Sequence, residues 1–302
     1  MAHLAITVVL STRNPGAAIA SAISSILAIT DLSFVLHIVD QSDGDEPCEA
    51  VREAQKDSRV RYFRTSTKGL GAARNVGIAN ASTEFIAMTD DDCEVRNDWL
   101  RELVVAFASH ERVGIVFGNV TASVHDRTRG FIPAYVRRGD CLVKTMRHKH
   151  HAEGIGACMG LRRSLWAELQ GFDEMLGAGS RFHAGEDLDF AFRALQAEHA
   201  VYETDRVCVM HHGFRTWEEG TRLVFNYTFG IGAVLGKHLR CRRWSVLWVL
   251  LALAWRWAFS EPRVDYGDTV PSRLLRLRGV MRGLIEGAKV PVDVESGHYT
   301  TR

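Results

Sequence analysis

Apolar positions in the first two-thirds of the chain follow two alternating rhythms. Short β-rich runs at Leu4–Leu10, Phe34–Val39, Val60–Arg64 and Glu84–Thr89 predict strands. Between them, Ala17–Ile29 carries Ile19, Ile23, Ile26 and Ile29 at helical spacing. Cys48–Lys56 suits a second helix, and Gly69–Ala81 a third that opens on glycine. Trp99–Ala108 continues as helix, then Val113–Val124 as strand, a basic loop and Gly154–Arg162. A helix from Ser164, a glycine-rich loop over 177–185, the helix Glu186–Ala197 and the strand Val207–Met210 follow. Strands that are apolar on both faces and alternate with helices predict an α/β fold with a mainly parallel sheet covered on both sides.

In such sheets ligands sit at the carboxyl ends of the strands. Three polar clusters fall at such ends: residues 11–14, 40–45 and 90–92. After about residue 216 the pattern becomes aromatic, arginine-rich and helical, which divides the chain into 1–215 and a helical extension, 216–302. Hydrophobic residues make up 46% and charged residues 24% of the 302, an ordinary globular balance. A net charge of +1 gives no global attraction to nucleic acid, so any electrostatic function is local. The six cysteines are scattered without a C-x-x-C pair, which predicts reduced thiols rather than a disulfide framework or zinc site. The first residues lack the charged head and long apolar core of a secretion signal, so the expected location is cytoplasmic.

Asp90-Asp91-Asp92 carries the most chemistry. Adjacent carboxylates repel, and a hard divalent cation bridging them to a diphosphate relieves that repulsion; a solvated turn or a cap for the next helix is the plainer alternative. Gly69-Leu-Gly-Ala-Ala-Arg74 nearly matches a dinucleotide fingerprint, but Arg74 replaces the third glycine and the first strand's turn has no such glycines. Glu186-Asp187 either caps its helix or supplies a general base above the sheet edge, while Asp189 and Arg193 form a structural i, i+4 pair. His211-His212 reads as metal or phosphate ligands or as satisfied polar residues. Arg147-His-Lys-His-His151 has no matching ligand partners and is expected to be a solvated basic loop.

Taken together, Thr7-Val-Val-Leu-Ser-Thr-Arg-Asn14, Ile38-Val-Asp-Gln-Ser42, Gly71-Ala-Ala-Arg-Asn-Val-Gly77, Thr89-Asp-Asp-Asp92, Gly171-Phe-Asp-Glu174 and Gly185-Glu-Asp-Leu-Asp189 resemble the family 2 glycosyltransferases with the GT-A fold. The motifs stand in family order over roughly residues 4–215. The resemblance implies a GT-A, Rossmann-like catalytic domain over 1–215 and an inverting, metal-dependent transfer of a sugar. The donor would be a nucleoside diphosphate sugar, a UDP-sugar first, the cofactor Mg²⁺ or Mn²⁺, and the target an acceptor hydroxyl. By the same resemblance Ser11, Thr12, Arg13, Asp40, Arg74, Asp90 and Asp91 hold the donor nucleotide. Asp92 binds the metal with His211 near the diphosphate, Asp187 is the catalytic base, and Cys158, Met159 and Glu186 border the sugar and acceptor. Two departures stand out: Ser-Thr-Arg-Asn replaces the commoner Thr-Tyr-Asn, and Cys158 stands where many relatives carry Asn. A sugar nucleotidyltransferase would normally show a glycine-rich basic loop after the first strand, which Ser11–Pro15 does not. A non-catalytic nucleotide-sugar-binding protein would show decayed acidic motifs, and both are intact.

In the last third, Arg240-Cys-Arg-Arg243 precedes the apolar, aromatic run Trp244–Phe259, shorter than the roughly 20 residues of a bilayer span. A second, basic amphipathic run extends from Arg273 through Lys289. Two readings stand side by side: an interfacial helix pair over 240–289 on the inner face of a membrane, or helices packed on the catalytic domain or forming a homodimer interface.

Overall fold

The computed structural model describes residues 6–44, 46–259, 264–265 and 272–300. All seven residues of β1 (Ile6–Thr12) are buried, because the strand has a neighbour on each side and helices on both faces. It pairs in parallel with β2 (Phe34–Asp40) and β4 (Phe85–Asp90), and β2 in turn with β3 (Val60–Arg64). The connecting helices are α1 (Ala18–Leu27), α2 (Glu49–Ala54) and α3 (Leu70–Ala79). Ser11 and Thr12, read as part of a turn, are the last two residues of β1, because pairing with β2 continues to Thr12↔Asp40. Leu4 lies outside the described residues. Gly69, at φ +99°, breaks the chain into α3. Within α3 a side chain at Gly77 would collide with Val9 and Val39, so the glycine lets the helix lie close on the sheet.

Beyond β4 the sheet changes direction. After β5 (Cys93–Val95), α4 (Trp99–Ala108) and β6 (Val113–Ala122) come the short strands β7 (Gly130–Phe131), β8 (Ala134–Tyr135) and β9 (Cys141–Val143). β10 (Cys158–Arg162) inserts antiparallel between β4 and β6. The parallel order predicted from the alternation thus holds for β3–β2–β1–β4, and the far half is mixed. α5 (Arg163–Glu168), α6 (Glu186–Gln196) and β11 (Ala200–His211) follow. β11 starts seven residues before the predicted Val207 because exposed Asp205 and Arg206 interrupt its apolar pattern at a register shift.

β12 (Arg215–Thr216) leads into α7 (Trp217–Arg240), whose start is a capping box: the Glu219 amide donates to Thr216 Oγ1, and the Thr216 amide to Glu219 Oε2. α8 (Val246–Phe259), β13 (Val264–Asp265) and α9 (Arg273–Lys289) complete the chain. The apolar core does not stop at residue 215. Ala233, Val234, Leu235, Val246, Val249 and Val280 share one buried cluster with Met88, Ile115, Phe172 and Phe190. All six cysteines are free thiols, as their scatter predicts.

Candidate active site

The carboxyl ends of β1, β2 and β4 bring three of the polar clusters to one edge. Ser11 stands opposite Asp90 in the ladder, and Thr12 opposite Asp40. Ser11 Oγ is buried with no hydrogen-bond partner among the described residues. Thr12 donates to Asp91 Oδ2 at 2.5 Å, yet burial outweighs that bond and pushes the Asp91 carboxyl up to about 6. Asp40 is buried, and its two oxygens accept from the Ser42 amide at 2.8 Å and the Tyr62 hydroxyl at 3.0 Å. Arg13 lies on the rim, paired with Asp43 at 3.2 Å.

Asp92 follows β4 and faces the end of β11. His211 Nδ1 lies 2.8 Å from the Pro133 carbonyl, a contact that requires a proton on Nδ1 and so directs Nε2 to Asp92 Oδ1, 3.2 Å away. Burial lowers His211, but Asp92 more than offsets it and the imidazole is raised overall. The same partnership, with Arg215 nearby, overrides the upward push of burial on Asp92 and holds it low. A carboxylate and an imidazole Nε2 aimed at one point make a donor set suited to a divalent cation. Gly213 supports that fit: any side chain there would overlap Asp92 Oδ2 and His211 Nε2. Cys93 Sγ also lies within the group. Burial raises that thiol well above its ordinary value, so it stays protonated and is a poor ligand for a hard cation. His212 turns away to Glu94, at 3.1 Å.

Arg74 is engaged mostly by the protein itself. It is 2% exposed. Its guanidinium donates to Glu186 Oε1 at 2.9 Å, to Asp90 Oδ1 at 3.3 Å and to the Gly156 carbonyl at 3.0 Å. It is therefore an internal strut joining α3, β4, α6 and the loop before β10. Even so, burial and the neighbouring Asp187 charge push Glu186 up to about 7, and burial raises Asp90 as well. Gly185, at φ +93°, starts α6 so that Glu186 points inward to Arg74. Asp187, half-buried, accepts the Gly156 amide on Oδ2 at 2.8 Å.

Arg74, Asp90, Glu186, Asp187 and His211 wall a cavity of about 350 Å³ that runs under α7, α8 and α9. Ser11, Thr12, Asp40, Asp91 and Asp92 stand outside this cavity, along the strand ends. Cys158 and Met159, expected at the sugar, are both 0% exposed and do not line it. β10 carries them into opposite sides of the core, and Glu153–Ala157 form the wall instead. In the basic segment expected to be a solvated loop, Arg147, His148 and His151 are exposed, but the chain forms a 3-10 turn, Met146–His151, that buries Lys149. Lys149 donates to the Ala152 carbonyl at 2.5 Å and, with His150, borders the cavity. Tyr227, Thr228, Ile231 and Arg276 complete the wall. Helical periodicity identifies the segments that carry them but not the sheet edge on which they dock.

A half-parallel sheet with an acidic cluster at its carboxyl edge, and a carboxylate-bearing helix above it, defines the GT-A fold class. The model of the family "Glycosyl transferase family 2" matches residues 7–169, and the chain belongs to that family. It is similar to an uncharacterized glycosyltransferase of Rickettsia felis, 41% identical over 71 residues, covering 24% of this chain and 12% of that one. It is also similar to the pre-mycofactocin glycosyltransferase of Mycobacterium tuberculosis, 26% identical over 221 residues, 71% of this chain. The chain spans 44% of that relative's length. The mannosyltransferase PcManGT from Pyrobaculum calidifontis, solved with GDP-Man and Mn2+, shares the fold: TM-score 0.58, 16% identity, 94% of this chain and 85% of that one.

Proposed function

We propose that the protein transfers a glycosyl group from a nucleoside diphosphate sugar, a UDP-sugar being the first to test, to an acceptor hydroxyl with inversion. The observation that carries this reading is the juxtaposition of Asp92 with His211 at one end of the site and Asp187 at the cavity wall. Asp92 and His211 would hold Mg²⁺ or Mn²⁺, which when bound offsets charge on the departing diphosphate. A Mn2+ ion together with GDP-Man in the Pyrobaculum relative is consistent with that assignment. Asp40 and the Ser11 hydroxyl, at neighbouring strand ends, would contact the nucleoside.

In the chemical step the acceptor oxygen attacks the anomeric carbon as the bond to the diphosphate oxygen breaks. Asp187 takes the hydroxyl proton, so no covalent intermediate is needed. Glu186 is the less suitable base, since Arg74 occupies its Oε1 and it is 6% exposed. Its part is to keep Arg74, and through it Asp90 and Gly156, in place for the donor.

The test is nucleoside diphosphate release across a panel of nucleotide sugars, with and without Mn²⁺. Asp92→Asn should abolish the metal response and weaken donor binding. Asp187→Asn should keep donor affinity and lower turnover by about 10²–10⁴-fold. Release that ignores both chelator and Asp92→Asn would overturn the metal assignment. Loss of donor affinity alone in Asp187→Asn would make that residue a binding group or a cap.

A further inference from the structure

The helices over the cavity carry apolar surface that glycosyl transfer does not use. α8 turns Val246, Val249 and Leu253 inward, while Leu247, Trp248, Leu251 and Trp255 form an exposed row that Trp244 extends. On α9 a second row, Leu274, Leu277, Met281 and Ile285, is also exposed, Leu274 by 74%. Arg278 and Arg282 are exposed beside it. Each row follows helical spacing, so it is a continuous stripe rather than scattered residues. α8 contains no acidic residue, and the sole acid of α9, Glu286, pairs with Lys289 at 2.9 Å. The Arg147 guanidinium lies 5.2 Å from the centre of the Trp248 ring, which adds another cation at the apolar row.

Large apolar side chains flanked by tryptophan and arginine, with almost no acid, complement an anionic lipid surface. The rings and aliphatic tips enter the headgroup boundary, and the guanidinium groups meet phosphates. A second copy of the chain is a poorer occupant, because two such cationic faces repel one another. No helix among the described residues is long and apolar enough to cross a membrane, so this face would lie on the surface rather than span it. Val249 and Leu253 of α8 and Arg276 of α9 reach the cavity from behind these same rows.

We propose that the outer rows of α8 and α9 seat the protein on an anionic lipid surface, and that the cavity takes an acceptor presented there, with an apolar portion beside its hydroxyl. Phe117, Ile155, Ile231, Val249 and Leu253 supply the apolar wall for such an acceptor. The acceptor clause rests on the glycosyl-transfer reading; the docking does not.

The experiment is co-sedimentation of the full chain with vesicles of phosphatidylglycerol and phosphatidylcholine, against phosphatidylcholine alone, at low and high salt. The expected result is retention on the anionic vesicles that drops several-fold in high salt and on neutral vesicles. Arg278→Glu with Arg282→Glu should lower retention several-fold, and Leu251→Glu with Leu277→Glu should abolish it. Because all four side chains are exposed, both variants should melt like the wild type and release nucleoside diphosphate from donor at its rate. Absence of retention for the full chain, or equal retention by the variants, would overturn the proposal. So would a mass falling from dimer to monomer in the leucine variant, which would place a second copy on this face. Vesicle retention without donor turnover would count against the proposed function alone.

Discussion

Arg74 organises the site from inside. Three acceptors fill a guanidinium that is 2% exposed, and one of them belongs to a carboxyl that burial holds at about 7. A carboxyl raised above its ordinary 4.5 contributes stability that is fully present below about pH 4.5 and is lost as pH rises through about 7. Glu186→Gln removes that titration. The unfolding free energy of the wild type should therefore fall relative to the variant between about pH 4.5 and 7, measured by denaturant melts across the range. Parallel curves would mean that Arg74 keeps Glu186 ionised throughout. The motif Gly185-Glu-Asp marks this residue in sequence, but nothing local marks its partner, 112 positions away.

At the scale of elements, α7 and α9 meet through glycine. A Cβ on Gly283 would overlap the Phe229 carbonyl oxygen, and one on Gly232 the Val280 carbonyl oxygen, so the two backbones touch directly. Gly283→Ala sets two effects against each other. Helix propensity favours alanine by about 1 kcal/mol, whereas forcing an atom between packed backbones costs about 1–3 kcal/mol. The obstruction is backbone, which cannot swing aside, so packing should win and the net change should be destabilising. Gly16→Ala, where nothing lies within 4 Å of the new atom, should stay within about 0.5 kcal/mol of the wild type. Thermal melts of the two variants decide the point; equal stability would mean that α9 is loosely held. Glycines at intervals of four are visible in the sequence, but which helix they face is not.

On the scale of the molecule, buried charges tie α7 to α6 and to the loop that precedes it. Lys237 of α7 lies 2.6 Å from Asp173 and 2.7 Å from Asp189, and His238 Nε2 donates to Asp189 Oδ1 at 2.9 Å, all of them essentially buried. Asp189 is held far below the usual carboxylate range: burial pushes it up, but Lys237 and Arg193 prevail. Lys237→Met would take the paired cation from Asp173 and leave Asp189 with Arg193 and His238, at a cost of about 3–5 kcal/mol. Because one core spans both parts, the variant should still unfold in a single transition by calorimetry; a separate early transition would make 216–302 an independent unit. The sequence by itself determined the strands and helices of the first two-thirds, the acidic clusters at strand ends and the Asp189–Arg193 pair, because periodicity, turn residues and i, i+4 spacing are local. It also marked the amphipathic tail. Only the tertiary structure decided that β10 inserts antiparallel, that Cys158 and Met159 are core, that Lys149 is buried and that Arg74 is a strut. Each of these depends on which distant backbone lies alongside, and no local pattern encodes such contacts.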